Sequence, residues 1–150
     1  MGTATWSNPG NAAAGDSVYA TANLGPAGQS HYLKATNFGF AIPGGSTITG
    51  ILVIVTRKES ASNGCKDNRV RIVKGGTIGA TDRASATEWP TVAAAAEYGG
   101  DGLGGSTDLW GETWTVSDIN ASNFGVAISA LGINGAQASI DFISITVFYS

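Results

Sequence analysis

The segment Ser139-Ile-Asp-Phe-Ile-Ser-Ile-Thr-Val-Phe-Tyr149 constrains the fold more than any other part of the chain. One parity carries Ile143, Ile145, Val147 and Tyr149; the other carries Ile140, Phe142 and Phe148, separated by Ser144 and Thr146. A period of two is the pattern of a strand with one face on a core, and Ile143 to Tyr149 are predicted to face inward. A second run, Thr47-Ile-Thr-Gly-Ile-Leu-Val-Ile-Val-Thr-Arg57, is β-branched on both faces at its centre and follows the turn signal Ile42-Pro-Gly-Gly-Ser46. It predicts a central strand, buried on both sides.

Further strands are predicted at about 17–24, 31–40, 68–74, 77–81, 91–96, 108–115 and 123–130, each bounded by Gly, Asn, Asp or Pro. The alanine run Thr91-Val-Ala-Ala-Ala-Ala-Glu-Tyr98 fits a helix by propensity, and the all-β surroundings favour a strand. One helical turn is expected at Thr115-Val-Ser-Asp-Ile-Asn120, with Ser117 as its cap, and a long loop at residues 99–106. The expected fold is therefore all-β: a jelly-roll-like antiparallel sandwich of eight or nine strands with at most one or two short helical turns. Its 150 residues suit one domain. Residues 16–150 are assigned to the sandwich and residues 1–15 to an N-terminal arm.

Charged residues are 13% of the chain against about 25% for an average soluble protein, and Gly reaches 22 residues. A surface made mainly of Ser, Thr, Asn and Ala is expected, as in particle-bound or extracellular β proteins. Six of the eight basic residues, Arg57, Lys58, Lys66, Arg69, Arg71 and Lys74, lie within 57–74 against Glu59 and Asp67. Six against two makes that segment +4, and the net charge of −3 leaves −7 elsewhere. Two readings stand: a solvated edge strand, or a docking strip for an acidic partner surface. Nucleic acid fits poorly, since the overall balance is acidic and no Lys/Arg run with interleaved aromatics occurs.

The residues offer little to chemistry. Cys65 is the one cysteine, set in a polar stretch, Ser60 to Asp67, that reads as an exposed loop. His31 is the one histidine and no Gly-x-Ser-x-Gly turn accompanies it, so a hydrolytic triad lacks its parts. One His and one Cys cannot close a zinc site. Asp101 and Asp108 flank the glycine-rich loop with a spacing that matches no defined calcium loop, so an ordinary turn is expected there. No catalytic residue, metal or cofactor is assigned, and the chain is expected not to be an enzyme. Trp110 and Trp114, four apart, would share a face on a strand, either buried at the sandwich end or exposed as a stacking surface for sugar rings. Trp6 and Trp89 each stand beside a Pro-containing turn, at a core edge or a subunit contact. Neither a signal peptide, a membrane span nor a myristoylation signal is recognisable, so no membrane partner is expected.

Several stretches together resemble a known class: Trp6-Ser-Asn-Pro-Gly-Asn-Ala12 with Tyr19-Ala-Thr21, Asn37-Phe-Gly-Phe-Ala-Ile-Pro43 through Ile51, Leu109-Trp-Gly111, Asp118 to Val126, and the closing Ile140 to Tyr149. The chain is similar to small β-sandwich virion proteins of tailed bacteriophages, and most of all to capsid decoration (cement) proteins. That resemblance implies a virion protein made in the host cytoplasm, a homotrimer that clamps neighbouring major capsid proteins, with other minor head proteins as further partners. The resemblance carries over no binding residue; the candidate capsid or subunit contacts come from the arm, Trp6, Asn8 and Pro9, and from the basic segment, Arg57, Lys58, Lys66, Arg69 and Arg71. The alternative within the class is a fibre tip that binds host glycan or receptor through Trp110 and Trp114.

Overall fold

Residues rich in Ile and Val that alternate with small polar ones can bury one face only by pairing sheets, and the chain does so twice. The computed structural model describes residues 2–150. Eight strands form: β1 (Ala20–Leu24), β2 (Leu33–Thr36), β3 (Ile48–Glu59), β4 (Cys65–Lys74), β5 (Thr77–Ile78), β6 (Ala94–Tyr98), β7 (Gly125–Gly132) and β8 (Ala136–Tyr149). One 3-10 turn, Pro9–Ala12, and one short helix, α1 (Val116–Asn120), complete the elements.

The strands make two four-stranded antiparallel sheets, β1-β8-β3-β6 and β2-β7-β4-β5. The chain crosses from one sheet to the other at every connection except the tight β4–β5 hairpin, which is the jelly-roll order. Inner-face residues such as Ile51, Val53, Val55, Val70, Ile72, Val126, Ile128, Ile140 and Ile143 fill the space between the sheets. At about 25 cal/mol per Å2 of apolar surface removed from water, this core is the main term favouring the fold.

The C-terminal strand differs from its predicted parity. Ile143, Ile145 and Val147 face the core as expected, but so do Ala138 and Ile140 of the opposite parity, and Tyr149 is 49% exposed. The cause is an irregularity opposite Thr56 and Arg57, where β8 inserts Asp141 as an extra residue between Ile140 and Phe142. A second irregularity inserts Asn68 as an extra residue between Asp67 and Arg69 on β4, and Val70 and Ile72 beyond it face inward.

Three further expectations are corrected. Residues 108–115 form no strand, because Trp110 and Gly111 both take positive φ (57° and 70°) and turn the chain. Cys65 is not in an exposed loop; it opens β4 and is fully buried. Residue 115, not Ser117, caps α1: Thr115 accepts from the Asp118 amide while the Asp118 carboxylate accepts from the Thr115 amide. The alanine run, left between helix and strand, resolves as β6, paired with β3 from Arg57↔Ala94 to Val53↔Tyr98.

Gly125 shows how closely the second sheet is drawn together. A Cβ there would collide with the Ala35 carbonyl of the neighbouring β2. Gly125→Ala is expected to destabilise the domain by about 2 kcal/mol, the range of overpacking in a closed core, measured by urea unfolding. Wild-type stability for that variant would mean that β2 is free to shift.

Candidate interaction surface

The basic segment folds in a way its composition does not suggest. Arg57 shares the parity of Ile51, Val53 and Val55 on β3, so its guanidinium enters the interior, where the residue is 5% exposed. It meets Asp67, 4% exposed, which projects inward from β4 on the other sheet. Both strands are internal to their sheets, so neither the solvated edge strand nor a single continuous basic strip forms.

Asp67 is the centre of a buried polar cluster. One carboxylate oxygen accepts from Arg57 Nη1, from the Trp89 indole N–H at 2.8 Å and from the Tyr98 hydroxyl at 3.1 Å. The other accepts from the Ser85 amide at 2.9 Å. The Arg57 guanidinium also lies over the Trp89 and Tyr98 rings, at 5.2 and 5.8 Å from their centroids. Next to it, Glu59 Oε2 accepts from the Gly64 and Cys65 amides at 3.1 and 2.7 Å and holds the 60–64 turn. Burial, followed by the charge of Glu59, pushes the Cys65 thiol up to about 12. Trp89, expected at a core edge or a subunit contact, belongs to this interior.

The other basic side chains divide between opposite outer faces. Lys58, outward on β3, caps the Tyr19 ring at 4.3 Å. Lys66, Arg69 and Arg71 point outward from β4 on the other sheet, where Arg69 pairs with Asp82 at 3.4 Å and the Lys66 backbone forms an isolated antiparallel β-bridge with Glu88. Lys74 donates to the Thr113 carbonyl at 2.6 Å and lies 3.9 Å from both Glu112 and Asp118. Arg69 and Lys74 thus have acidic neighbours, each a modest, solvent-screened attraction.

The tryptophans of the 109–114 stretch form no side-by-side platform. Trp110 is 1% exposed and its indole donates to the Ile51 carbonyl at 2.9 Å. Half-buried Trp114 donates to the Leu109 carbonyl and packs edge-on against Phe124, at the end of an aromatic row that continues through Phe40 to Phe38. The carboxylates of the nearby loop serve its own backbone. Asp101 accepts from the Leu103 and Gly105 amides, and these bonds hold its carboxyl below the usual carboxylate range. Asp108 takes a two-pronged Arg83 contact at 2.6 and 2.9 Å, which holds its carboxyl low as well. Among the described residues no group of three His, Cys, Asp or Glu side chains converges as a metal site would require.

The N-terminal residues lie in the seam between the two sheets. Ser7 exchanges backbone hydrogen bonds with Thr21 of β1 at 2.7 and 3.1 Å. Ala4 donates to Gln29 at 3.1 Å and accepts from His31 at 2.8 Å, just before β2. The Trp6 indole adds a bond to the His31 carbonyl at 2.9 Å, while Asn8, at φ 50°, turns the chain into the exposed Pro9. Beyond that turn the seam is open. A cleft of about 540 Å3 is lined by Pro9, Ala12, Leu33, Ala35, Phe38 and Phe142, among others, and a second of about 310 Å3 by Phe40, Ile42, Ile145, Val147 and Tyr149. Sequence reasoning missed this trench, because it needs the tertiary pairing that leaves β8 longer than β1. The one available signal was the length of the uncharged run from Phe142 to Tyr149.

No protein-family model matches the chain, and no match to it was found among curated proteins or among solved structures.

Two measurements test the buried cluster. Asp67→Asn leaves Arg57 buried without its counter-ion and is expected to cost about 3–5 kcal/mol in denaturant unfolding, with Arg57→Met in the same chain recovering part of it. A single variant as stable as the wild type would remove the ion pair from the account of the fold. Iodoacetamide at pH 8 is expected to leave Cys65 unmodified by mass spectrometry in the native protein and to alkylate it fully in denaturant. Rapid native labelling would show the thiol to be accessible.

Proposed function

We propose that the chain is a non-catalytic structural module that works by packing against other protein subunits. The observation that carries this reading is where its reactive groups lie. The thiol of Cys65 is sealed and held protonated, Asp67 serves an ion pair, and Asp101 and Asp108 hold a loop. What the surface offers instead is an apolar trench and few charges, which suits association with a protein.

The finer reading rests on the resemblance described above: a capsid decoration protein of a tailed bacteriophage, a homotrimer bound to the outer surface of the head that clamps major capsid subunits. Three linked contacts per trimer would multiply a modest individual affinity. A protein that binds the assembled shell and not its free subunits stabilises the shell by mass action. Other minor head proteins are possible neighbours in this setting.

Quantitative mass spectrometry of particles from the encoding phage is expected to find on the order of hundreds of copies per particle, as a repeated position on a symmetric shell requires. Particles from a deletion strain are expected to release their genome at lower temperature in a fluorescent-dye melt. A handful of copies, or unchanged melting, would overturn the decoration reading.

A further inference from the structure

The backbone of β8 beyond Phe142 has a neighbour on one side only. β1 pairs with β8 from Leu24↔Ala136 to Ala20↔Ile140 and stops there. Its approach ends at the extra residue: Asp141 accepts from the Asp16 and Ser17 amides at 3.2 and 2.8 Å, and Ser17 takes φ 63°, which turns the chain away. Ala13 bridges Phe142, and among the described residues no strand pairs with that edge beyond it.

The direction of the free groups follows from β3. Both polar backbone groups of Ile51 point toward β6: its amide donates to the Asp108 carbonyl at 2.9 Å, and its carbonyl accepts from the Trp110 indole and the Ser106 hydroxyl. Ile51 stands opposite Val147, so this is a pair that does not hydrogen-bond across the ladder. Val147 and, by alternation, Ile145 and Tyr149 therefore turn their N–H and C=O groups to the open side. Among the described residues no hydrogen bond joins the facing segment to them, and Ile42 is held instead by Asn120, which accepts from its amide at 2.9 Å and donates to its carbonyl at 3.0 Å. The two clefts lie along this edge.

The edge also lacks the usual protection. Phe142 to Tyr149 contains no charge, no Pro and no Gly, whereas β6, the opposite edge of the same sheet, is five residues long and carries Glu97. Natural edges left bare in this way invite pairing with another strand. The seam already accepts one. Residues 4–7 of this chain run between the two sheet edges further along and hydrogen-bond to both. Among the described residues Lys34 is the one charged side chain lining either cleft, and its ammonium donates to the Gly76 carbonyl at 2.8 Å. A charged strand would find no counter-ion there.

We infer that the open half of the seam is a strand-addition site, which takes an extended, uncharged segment of a partner protein along Ile145 to Tyr149 of β8. Main-chain hydrogen bonds supply the attraction, and alternate small apolar side chains enter the two clefts. The inference concerns the isolated chain and does not rest on the capsid reading.

The test uses the full chain, isotope-labelled for NMR, titrated with the capped peptide Ac-Thr-Ala-Thr-Val-Thr-Ala-Thr-NH2. Shift changes are expected at residues 33–42 and 142–149, with amide exchange at Ile145 and Val147 slowed at least tenfold at saturation. Val147→Pro removes an edge donor without touching the ladder to β3, and Thr146→Lys places a charge at an exposed position on the edge and keeps every backbone bond. Each is expected to weaken peptide binding at least tenfold, and the lysine variant keeps the test valid should the proline variant fail to fold. No binding at millimolar peptide, shifts confined to β5 or β6, or protection of both amides in the peptide-free monomer would overturn the inference. Concentration-dependent protection with a doubled mass in sedimentation would also overturn it, by showing a second copy in the site.

Discussion

One buried carboxylate, Asp67, holds together parts of the molecule that are distant in sequence. Its donors come from β3, from the 85–89 connection and from β6, while it stands on β4 itself, so both sheets and the crossover between them converge on one group. An unpaired carboxylate in this interior would carry a desolvation penalty of several kcal/mol, and an unpaired guanidinium the same. The penalty makes the arrangement specific. Any register of β3 against β4 that separates Arg57 from Asp67 strands two charges, whereas a slip in a wholly apolar core would be cheap by comparison. The cluster is incompletely satisfied even so, since Arg57 Nε and Glu59 Oε1 are buried without a partner, which favours a role in registry over one in raw stability.

The sequence signals that succeeded were those that depend on local chemistry. The alternation in 139–149 and the β-branched run at 47–57 place the two longest strands within three residues of their ends, and the Gly and Pro punctuation locates most of the others. The signals that failed were those that equate charge with exposure. Arg57 sits in step with Val53 and Val55, so its parity points inward, but nothing in the chain's local pattern announces that Asp67, ten residues on and in the other sheet, will be there to receive it. Irregularities such as Asp141 and Asn68 are equally silent, because an inserted residue looks like any other until the partner strand is known. The Trp110–Trp114 pair was misplaced for a different reason: a left-handed tryptophan before Gly111 is a tertiary choice, fixed by the indole bond to Ile51. The capping box at Thr115 was legible in Thr-Val-Ser-Asp and read two residues too late.

The jelly-roll order also explains why the candidate contacts did not gather in one place. β3 and β4 are consecutive in the chain but belong to opposite sheets, so a charge run that spans their connection is divided between two outer faces and the interior. A continuous basic strip would need the run to stay within one strand or one hairpin. The trench, by contrast, forms where two edges that are far apart in sequence meet, residues 33–42 against 142–149. A surface of that origin has no linear motif.

The two ends of the seam are built differently. Near Arg57 and Ile140 the seam is closed by the buried cluster and by residues 4–7; near Ile51 and Val147 it is open along the β8 edge. Six residues of strand separate Arg57 from Ile51, about 20 Å at 3.3 Å per residue, so the open edge lies well away from the polar clamp. Its geometry is nonetheless set by that clamp, because β3 holds β8 from Ala138 to Tyr149. An incoming segment would order only itself and find the acceptor strand already extended and fixed in register. Because the entropy of ordering both partners opposes association, a pre-formed edge of this kind gains affinity from its rigidity as much as from the few hydrogen bonds it leaves open.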